Sequence, residues 1–324
     1  MRWGSRGVGP AFVAAWVAGC GGGGPSTPTP PVPTPPSGVG AGSALTVVSG
    51  ETGAPIAGVS VNTGGQTFTT DDTGQVRLPN GAPFGTPVDF VHPAYLDRQT
   101  SVRAGVTRFA LWPRTSPTGV NEHYTATLVY TYASNDPPSA TGSTPLIRLA
   151  RGTTQVVVVP SPEILADGLA MEQHYRAVEA ANAATGGEVV YALAPSRPAA
   201  GVIFESRVDP TIPQCVSRTA LAIMQGTYRN LELTGGAMIF CDIANARTHT
   251  VTHEIGHTLG FQHSPDIIDV MGTPFTRSRS AAFGPREALA VHLMMQRSAG
   301  NRFPDTDRGA AAADVTTERV TVCR

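Results

Sequence analysis

The chain has 324 residues, of which 41% are hydrophobic, and it carries 23 basic residues, all of them arginine, against 24 acidic ones. This length and apolar content exclude a wholly disordered chain and allow two domains of ordinary size. The formal net charge of −1 at pH 7 gives no electrostatic basis for binding nucleic acid or an anionic membrane surface, so we expect no nucleic-acid partner.

The N-terminus predicts an export signal. Arg2 and Arg6 precede a short apolar run that ends at Cys20, and this run is too short to span a bilayer as a mature helix. The residues Val17–Cys20 (VAGC) resemble the lipobox of bacterial lipoproteins, in which the cysteine is lipidated. The resemblance implies a signal peptide over residues 1–19 and a lipid anchor to a bacterial membrane, with the protein at the outer membrane or cell surface. An ordinary secretory signal, with Cys20 incidental, is the alternative.

Two regions of different composition follow the signal. Residues 20–43 are rich in Gly and Pro, show no apolar periodicity and predict an extended linker. Residues 44–113 contain short strand-like runs separated by turn signals, which predict a small antiparallel sandwich. The stretches SGETGAPIAGVSV and TTDDTGQVRL in this region resemble the carboxypeptidase regulatory-like, transthyretin-like module. The resemblance implies a small all-β domain that serves as a spacer or adhesion element.

Residues 114–324 predict a larger domain of α+β class, in which strands and a long helix precede a histidine-rich helix. The long helix is expected over residues 161–187, with Ser161 as its N-cap and His174 on its surface. The last helix is expected over residues 284–300. The residues that could line the apolar face of the long helix are Ile164, Leu165, Leu169, Tyr175 and Val178. Strands are expected over residues 125–132, 153–160, 188–194, 201–209 and 236–242.

Three cysteines remain beyond the signal region: Cys215, Cys241 and Cys323. In an exported protein, two of them are expected to form a disulfide and one to be left over. The pair Cys215–Cys241 closes the shortest loop and is the preferred prediction, although spacing alone does not fix the pairing. Metal binding by these cysteines is not expected, because none has a close CxxC-type partner.

The histidine-rich segment carries the clearest sign of chemistry. On a helix, His253 and His257 lie one turn apart on one face, so their imidazole nitrogens can bind one metal ion. Glu254 follows the first of them and can take a proton from a metal-bound water. Gly260 can end the helix with a positive φ and turn the chain, so that His263 supplies a third ligand. Three nitrogen ligands leave a fourth position open, which is typical of catalytic rather than structural zinc sites.

The stretch HEIGHTLGFQH resembles the zinc motif of the metzincin clan of metalloendopeptidases. Met271, in the stretch DVMG, is similar to the Met-turn beneath the zinc of those enzymes, and Ser264 and the stretch AVEAANAATGG are similar to matrixin-like members. The resemblance implies a metzincin-like domain with a mixed sheet and an active-site helix. It also implies Zn²⁺ on the three histidines and peptide-bond hydrolysis by a zinc-bound water that Glu254 activates.

The resemblance further implies the binding of an extended peptide substrate. The peptide would lie along an edge strand just upstream of the histidine helix, and the stretch TGGAMIF is the candidate. The loop after Met271 would form part of the pocket for the residue after the cleaved bond. Arg277 and Arg279 in this loop can favour acidic groups there or can simply be solvated. The substrate-strand residues are Gly236, Ala237, Met238 and Ile239.

Two hypotheses of function therefore stay open at the level of sequence. One is an exported zinc-dependent endopeptidase, and the other is a catalytically inactive zinc-binding adhesion or binding lipoprotein. The presence of Glu254 argues for the endopeptidase, since an inactive relative has no need of a general base. His249 precedes His253 by one helical turn, but it is not assigned to the metal, because a fourth protein ligand would close the site.

Overall fold

The computed structural model describes residues 38–130, 145–272, 281–307 and 316–323. For residues 316–323 it describes the backbone alone. Within these ranges, no helix is long and apolar enough to cross a membrane. Several predictions concern residues outside them, namely the signal peptide, the lipidation site Cys20, most of the linker, and Arg277 and Arg279.

Short strands make up the first part of the described chain. They are β1 (Gly38–Val39), β2 (Ser43–Ser49), β3 (Ser60–Thr63), β4 (Gln66–Thr69), β5 (Gln75–Leu78), β6 (Ala82–Pro83), β7 (Pro87–Val91), β8 (Arg98–Ser101) and β9 (Arg108–Leu111). One sheet has the order β5-β2-β9 and another the order β4-β3-β7-β8. Along β7 the buried residues Val88 and Phe90 alternate with more exposed neighbours, as expected for strands that cover a core on one face. Leu45 and Phe109 of the first sheet pack with Val88 and Phe90 of the second sheet in one apolar cluster.

The second part of the described chain combines helices with one large sheet, so the α+β class is confirmed. Its elements are α1 (Glu122–Tyr130), β10 (Arg148–Leu149), β11 (Gln155–Pro160), α2 (Pro162–Leu165), α3 (Gly168–Thr185), β12 (Val190–Leu193), β13 (Val202–Val208), α4 (Pro213–Val216), β14 (Ala222–Arg229), β15 (Glu232–Phe240), α5 (Ile243–Ala246), α6 (Thr250–Thr258), α7 (Pro285–Met295) and β16 (Thr316–Cys323). The sheet has the order β12-β11-β13-β15-β14-β16, with β10 paired to β15. It is mixed: β11, β12, β13 and β15 run parallel, and β14 runs antiparallel to β15.

The strand expected over residues 125–132 is not found in its described part, residues 125–130, because the chain is helical in α1 up to Tyr130. Their Thr, Val and Tyr side chains favour strands. Every residue from Tyr124 to Tyr130 is buried, however, so the segment lacks the alternation of a half-buried strand. Asn121 helps to begin the helix, since its Oδ1 accepts the N–H of Tyr124 at 2.9 Å.

The long helix expected over residues 161–187 is interrupted. Asp167 begins α3 by accepting the N–H of Ala170 at 2.9 Å. Ser161 occupies the N-cap position of α2, but its side chain makes no capping hydrogen bond. Gly186 ends α3 with φ 58°, as expected for a glycine at a helix C-terminus.

The buried face of α2 and α3 also differs from the expected one. Ile164 and Val178 are buried, but Leu165, Leu169 and Tyr175 are exposed, and for these three the prediction is wrong. The buried face of α3 consists largely of small side chains, which allow a helix to approach its neighbours closely. These residues are Ala170, Ala177, Ala180, Ala181 and Ala184.

His174 is fully buried, so its predicted surface position is wrong. Its Nδ1 lies 2.7 Å from the carbonyl oxygen of Ala170, and its Nε2 lies 2.7 Å from Oγ of Ser206. A buried imidazole is tolerated when both of its nitrogens have hydrogen-bond partners. Burial lowers the pKa of His174, which favours the neutral ring.

The predicted substrate strand is β15, and it is not an edge strand. It pairs with β13 on one side and with β14 on the other along the whole stretch from Gly236 to Ile239. The prediction of an open edge at Gly236, Ala237, Met238 and Ile239 is therefore wrong, because both sides of this backbone are already paired. The error follows from β14, a strand that the sequence pattern did not predict. Asn230 and Leu231, with φ 53° and 64°, form the tight turn between β14 and β15.

The outer side of β14 is covered by β16. The two strands pair antiparallel over their full length, from Ala222 opposite Cys323 to Arg229 opposite Thr316. A disulfide joins Cys215 to Cys241 at the end of β15, which confirms the preferred pairing.

The described residues, from Gly38 onward, belong to one compact unit. Val48, Ala110 and Trp112 come from the strand-rich first part of the chain, yet they belong to the large apolar cluster between the mixed sheet and its helices. The guanidinium of Arg297 supports this junction, because it donates to the carbonyl oxygen of Ala110 at 2.9 Å and lies 5.3 Å from the Trp112 ring. A fully buried ion pair with Asp305, at 2.6 Å, balances its charge.

Candidate metal centre

Three histidines converge from helix α6 and the turn that follows it. One ring nitrogen from each of His253, His257 and His263 lies within 4.8 Å of the others. The ring centroids are 4.9 to 5.4 Å apart. Among the described residues, these three form the one group of His, Cys, Asp and Glu side chains with the geometry to hold a metal ion.

Backbone carbonyls orient two of the three rings. Nδ1 of His253 lies 2.6 Å from the oxygen of Val270, and Nδ1 of His257 lies 2.8 Å from the oxygen of Phe261. A carbonyl oxygen only accepts, so each Nδ1 carries the proton and each Nε2 keeps its lone pair for a metal. Nε2 of His263 is buried and has no hydrogen-bond partner within the described part of the chain. This buried lone pair fits a metal ligand, because an unsatisfied polar atom is costly without one.

The rings are also held in the state that a metal requires. Burial and the neighbouring His253 and His263 lower the pKa of His257 well below its ordinary value. Burial lowers the pKa of His263 to about 4. Both rings are therefore neutral near pH 7, and neutral imidazole is the form that binds metal ions.

Gly260 makes the turn that brings His263 to the site. Helix α6 ends at Thr258, and Gly260 follows with φ 103°, a conformation that favours glycine. A side chain here would also collide with the carbonyl oxygen of Ile147 and lie 3.3 Å from Cα of Arg148. The predicted bend is therefore present.

Met271 lies against the helix that carries the first two histidines. It is fully buried, and a side chain on Gly256 would collide with its sulfur. The amide of Ser264, next to the third histidine, donates to the carbonyl oxygen of Met271 at 2.7 Å. The segment after His263 thus returns the chain to the helix that carries the first two histidines.

Glu287, on α7, supports this segment and was not found by sequence reasoning. Its carboxylate accepts the N–H of Met271 at 3.0 Å and the N–H of Gly284 at 2.8 Å. Burial and the nearby negative charge of Asp269 raise its pKa to about 7. The available signal was the Gly-Pro-x-Glu pattern at the start of α7, which places Glu287 at the N3 position, where its carboxylate can accept the N–H of the N-cap residue Gly284. That pattern does not show that the second oxygen reaches Met271.

Asp269 forms a second link between the turn and α7. Its carboxylate accepts hydrogen bonds from the Ser264 hydroxyl and from the Arg286 guanidinium, the latter at 2.8 and 2.9 Å. Arg286 also pairs with Asp266 at 2.6 Å and lies 4.7 Å from the Tyr124 ring. The turn from His263 to Met271 is therefore fixed by these side chains in addition to its own backbone hydrogen bonds.

Glu254 and His249 occupy different positions relative to the cluster. Glu254 follows His253 on α6 and is fully buried, which is unusual for a carboxylate. His249 is the N-cap residue of α6 and is half-buried. It is not part of the group whose ring nitrogens converge.

Comparisons of the chain with protein-family models and with curated protein sequences find no match. Support for a function therefore comes from the geometry of this site and from the motif itself.

Proposed function

We propose that the protein is an exported zinc-dependent endopeptidase of metzincin type. The observation that carries the proposal is the convergence of His253, His257 and His263, together with the full burial of Glu254, which follows His253 on α6. Three neutral imidazoles with an open fourth position fit zinc in its catalytic form, and they do not supply the four protein ligands of a structural site.

The proposed mechanism assigns one role to each group. Bound zinc supplies a Lewis acid that polarises the scissile carbonyl and makes water more acidic. Glu254 takes the proton of the attacking water and passes it to the leaving amine, so that a charged carboxylate is regenerated. The Val270 and Phe261 carbonyls hold two ligand rings in one tautomer. Met271 supports the site from below without being a ligand.

An extended peptide is the proposed substrate, and the sheet limits where it can bind. Helix α6 packs against β14 and β15, and β15 is paired on both sides. A peptide that adds to the sheet beside α6 therefore has to use the outer side of β14, where β16 now lies. Such a peptide competes with residues 316–323.

We also propose that the protein is a bacterial lipoprotein anchored through Cys20. The support is the charged N-terminus, the short apolar run and the VAGC stretch. The Cys20→Ser variant should lose incorporation of radiolabelled palmitate and leave the membrane fraction. If it stays in the membrane fraction and still takes up label, the assignment of Cys20 is wrong.

The ligand set is tested by zinc content and peptide cleavage together. A chelator should abolish cleavage and added Zn²⁺ should restore it. His263→Ala should lose most of its zinc affinity, whereas His249→Ala, a neighbouring histidine outside the cluster, should keep it. If His263→Ala binds zinc as the wild type does, His263 is not a ligand. If the wild type holds one zinc but cleaves nothing in a broad peptide library, the protein is a binding lipoprotein rather than a peptidase.

A further inference from the structure

A cleft separate from the metal centre lies where the strand-rich part of the chain meets the end of α7. Its volume is about 750 Å³, within the range of small-molecule sites. The turn after β2, strands β8 and β9, and the C-terminal end of α7 contribute to its walls. None of its lining residues belongs to the histidine cluster or to the turn at Met271.

The lining of this cleft is strongly basic. Only one of its residues, Glu51, carries a carboxylate. Six of its residues are arginines: Arg98, Arg103, Arg108, Arg148, Arg151 and Arg297.

Two of the arginines are neutralised by carboxylates behind the cleft wall. Arg297 pairs with Asp305 at 2.6 Å, and Arg103 pairs with Asp307 at 2.8 Å. Glu232 accepts a hydrogen bond from the backbone of Arg151 and adds a third negative charge nearby. With Glu51, four carboxylates face six guanidiniums among the described residues, which leaves two positive charges in excess.

Arg98 and Arg148 are buried without an ion-pair partner in the part of the chain that the structure describes. They are 4% and 8% exposed, and their hydrogen bonds go to backbone carbonyls. Carbonyl dipoles at the end of α7 stabilise these cations in part. A buried guanidinium nevertheless favours a full negative charge close by.

Arg108 and Arg151 are exposed at the edge of the cleft. Arg108 uses one N–H to bind the carbonyl oxygen of Gly53 at 2.9 Å and retains further donors. Guanidinium groups bind phosphate and carboxylate through paired hydrogen bonds. A concave wall with an excess of one sign also concentrates its field on the opposite charge.

We propose that this cleft binds a small dianion, a phosphate monoester or a dicarboxylate, through Arg108 and Arg151 at its edge and the field of Arg98 and Arg148 at its base. The excess of two positive charges selects a dianion over a monoanion. The proposal is independent of zinc and of peptide hydrolysis.

The test is calorimetric titration of the full folded chain with inorganic phosphate, succinate and acetate at low ionic strength. Phosphate or succinate should bind at one site. Acetate should bind at least about tenfold more weakly, which corresponds to a difference of about 1.4 kcal/mol in binding free energy. The double variant Arg108→Gln/Arg151→Gln should weaken binding by about tenfold or more, because it removes the charge-assisted hydrogen bonds of both guanidiniums. Binding of phosphate alone or of succinate alone identifies which of the two ligand classes the cleft prefers.

The matched control is Arg77→Gln/Arg176→Gln, which removes the same charge from exposed positions outside the cleft. It should bind the dianions as the wild type does. The proposal is overturned if neither dianion binds, if acetate binds equally well, or if the two double variants weaken binding equally. Without ligand, the two double variants should unfold at the same temperature. If Arg108→Gln/Arg151→Gln is unstable, the single variant Arg151→Gln replaces it in the titration.

Discussion

His263 reaches the other two histidines because the chain turns at Gly260, with φ 103°. Gly260→Ala would force a side chain into the left-handed region, at about 1–2 kcal/mol, and against the carbonyl of Ile147. We expect both the zinc affinity and the stability of Gly260→Ala to be lower than those of the wild type. Gly284→Ala is the control, because a side chain there would meet only Glu287 Oε2 at 3.7 Å. Titration with a zinc indicator checks this, and equal affinity of Gly260→Ala and wild type would contradict it.

His174 gives a prediction about pH, because burial lowers its pKa in the folded state. In the unfolded chain an imidazole has a pKa near 6.5. As the pH falls below about 6.5, the unfolded state binds the proton first, so the free energy of unfolding should decrease. His174→Gln should lower stability at neutral pH by about 1–3 kcal/mol, through its lost hydrogen bonds, and should reduce the decrease between pH 7 and pH 5.

The control for this pH effect is His123→Gln, at an exposed position on α1. Urea unfolding at several pH values measures both variants. The account of His174 fails if His174→Gln has the same pH dependence as the wild type, or if His123→Gln changes it equally.

At the scale of elements, strands β11, β12, β13 and β15 and helices α6 and α7 follow from the sequence, because their apolar runs are bounded by clear turn and cap signals. Helix α1 does not, because its β-favouring residues are buried on all sides. Strands β14 and β16 were also not predicted, and their placement decides which strand is at the edge.

The zinc ligands are local in sequence and could be predicted. Their supports, Val270 O and Glu287, depend on tertiary contacts and could not.

Strand β16 yields a prediction about activity, which rests on the proposed function. Since β16 covers the outer side of β14, deletion of residues 308–324 should open that side to a substrate peptide. If β16 is paired about 90% of the time, the apparent KM should fall about tenfold. Peptide-cleavage kinetics measure the change. A synthetic peptide with the sequence of residues 316–323 should inhibit the truncated protein, and a folded truncated protein with unchanged KM would contradict the idea.

At the scale of the whole molecule, the buried pair of Arg297 and Asp305 joins the strand-rich part to the core of the mixed sheet. Asp305→Ala would leave a buried guanidinium without its partner and should cost about 3–5 kcal/mol. Asp97→Ala is the control, since the pair of Asp97 and Arg114 is partly exposed and should be worth at most about 1 kcal/mol.

Trp112 reports on this junction, because it is buried against Arg297. The other two tryptophans lie within residues 1–37, so in a truncated protein without those residues the fluorescence comes from Trp112 alone. Its fluorescence and far-UV circular dichroism should change in one coincident transition, as expected for one compact unit. Two separate transitions in the wild type, or equal losses of stability in the two variants, would show that the pair does not couple the parts.

The proposed function depends on Glu254 acting as the general base beside a metal ion held by the three histidines. The most direct test compares kcat/KM for one peptide between the wild type and Glu254→Gln, both loaded with zinc to the same content. We expect equal zinc stoichiometry and a loss of about 100- to 10,000-fold in kcat/KM for Glu254→Gln. Equal kcat/KM at equal zinc content would contradict it.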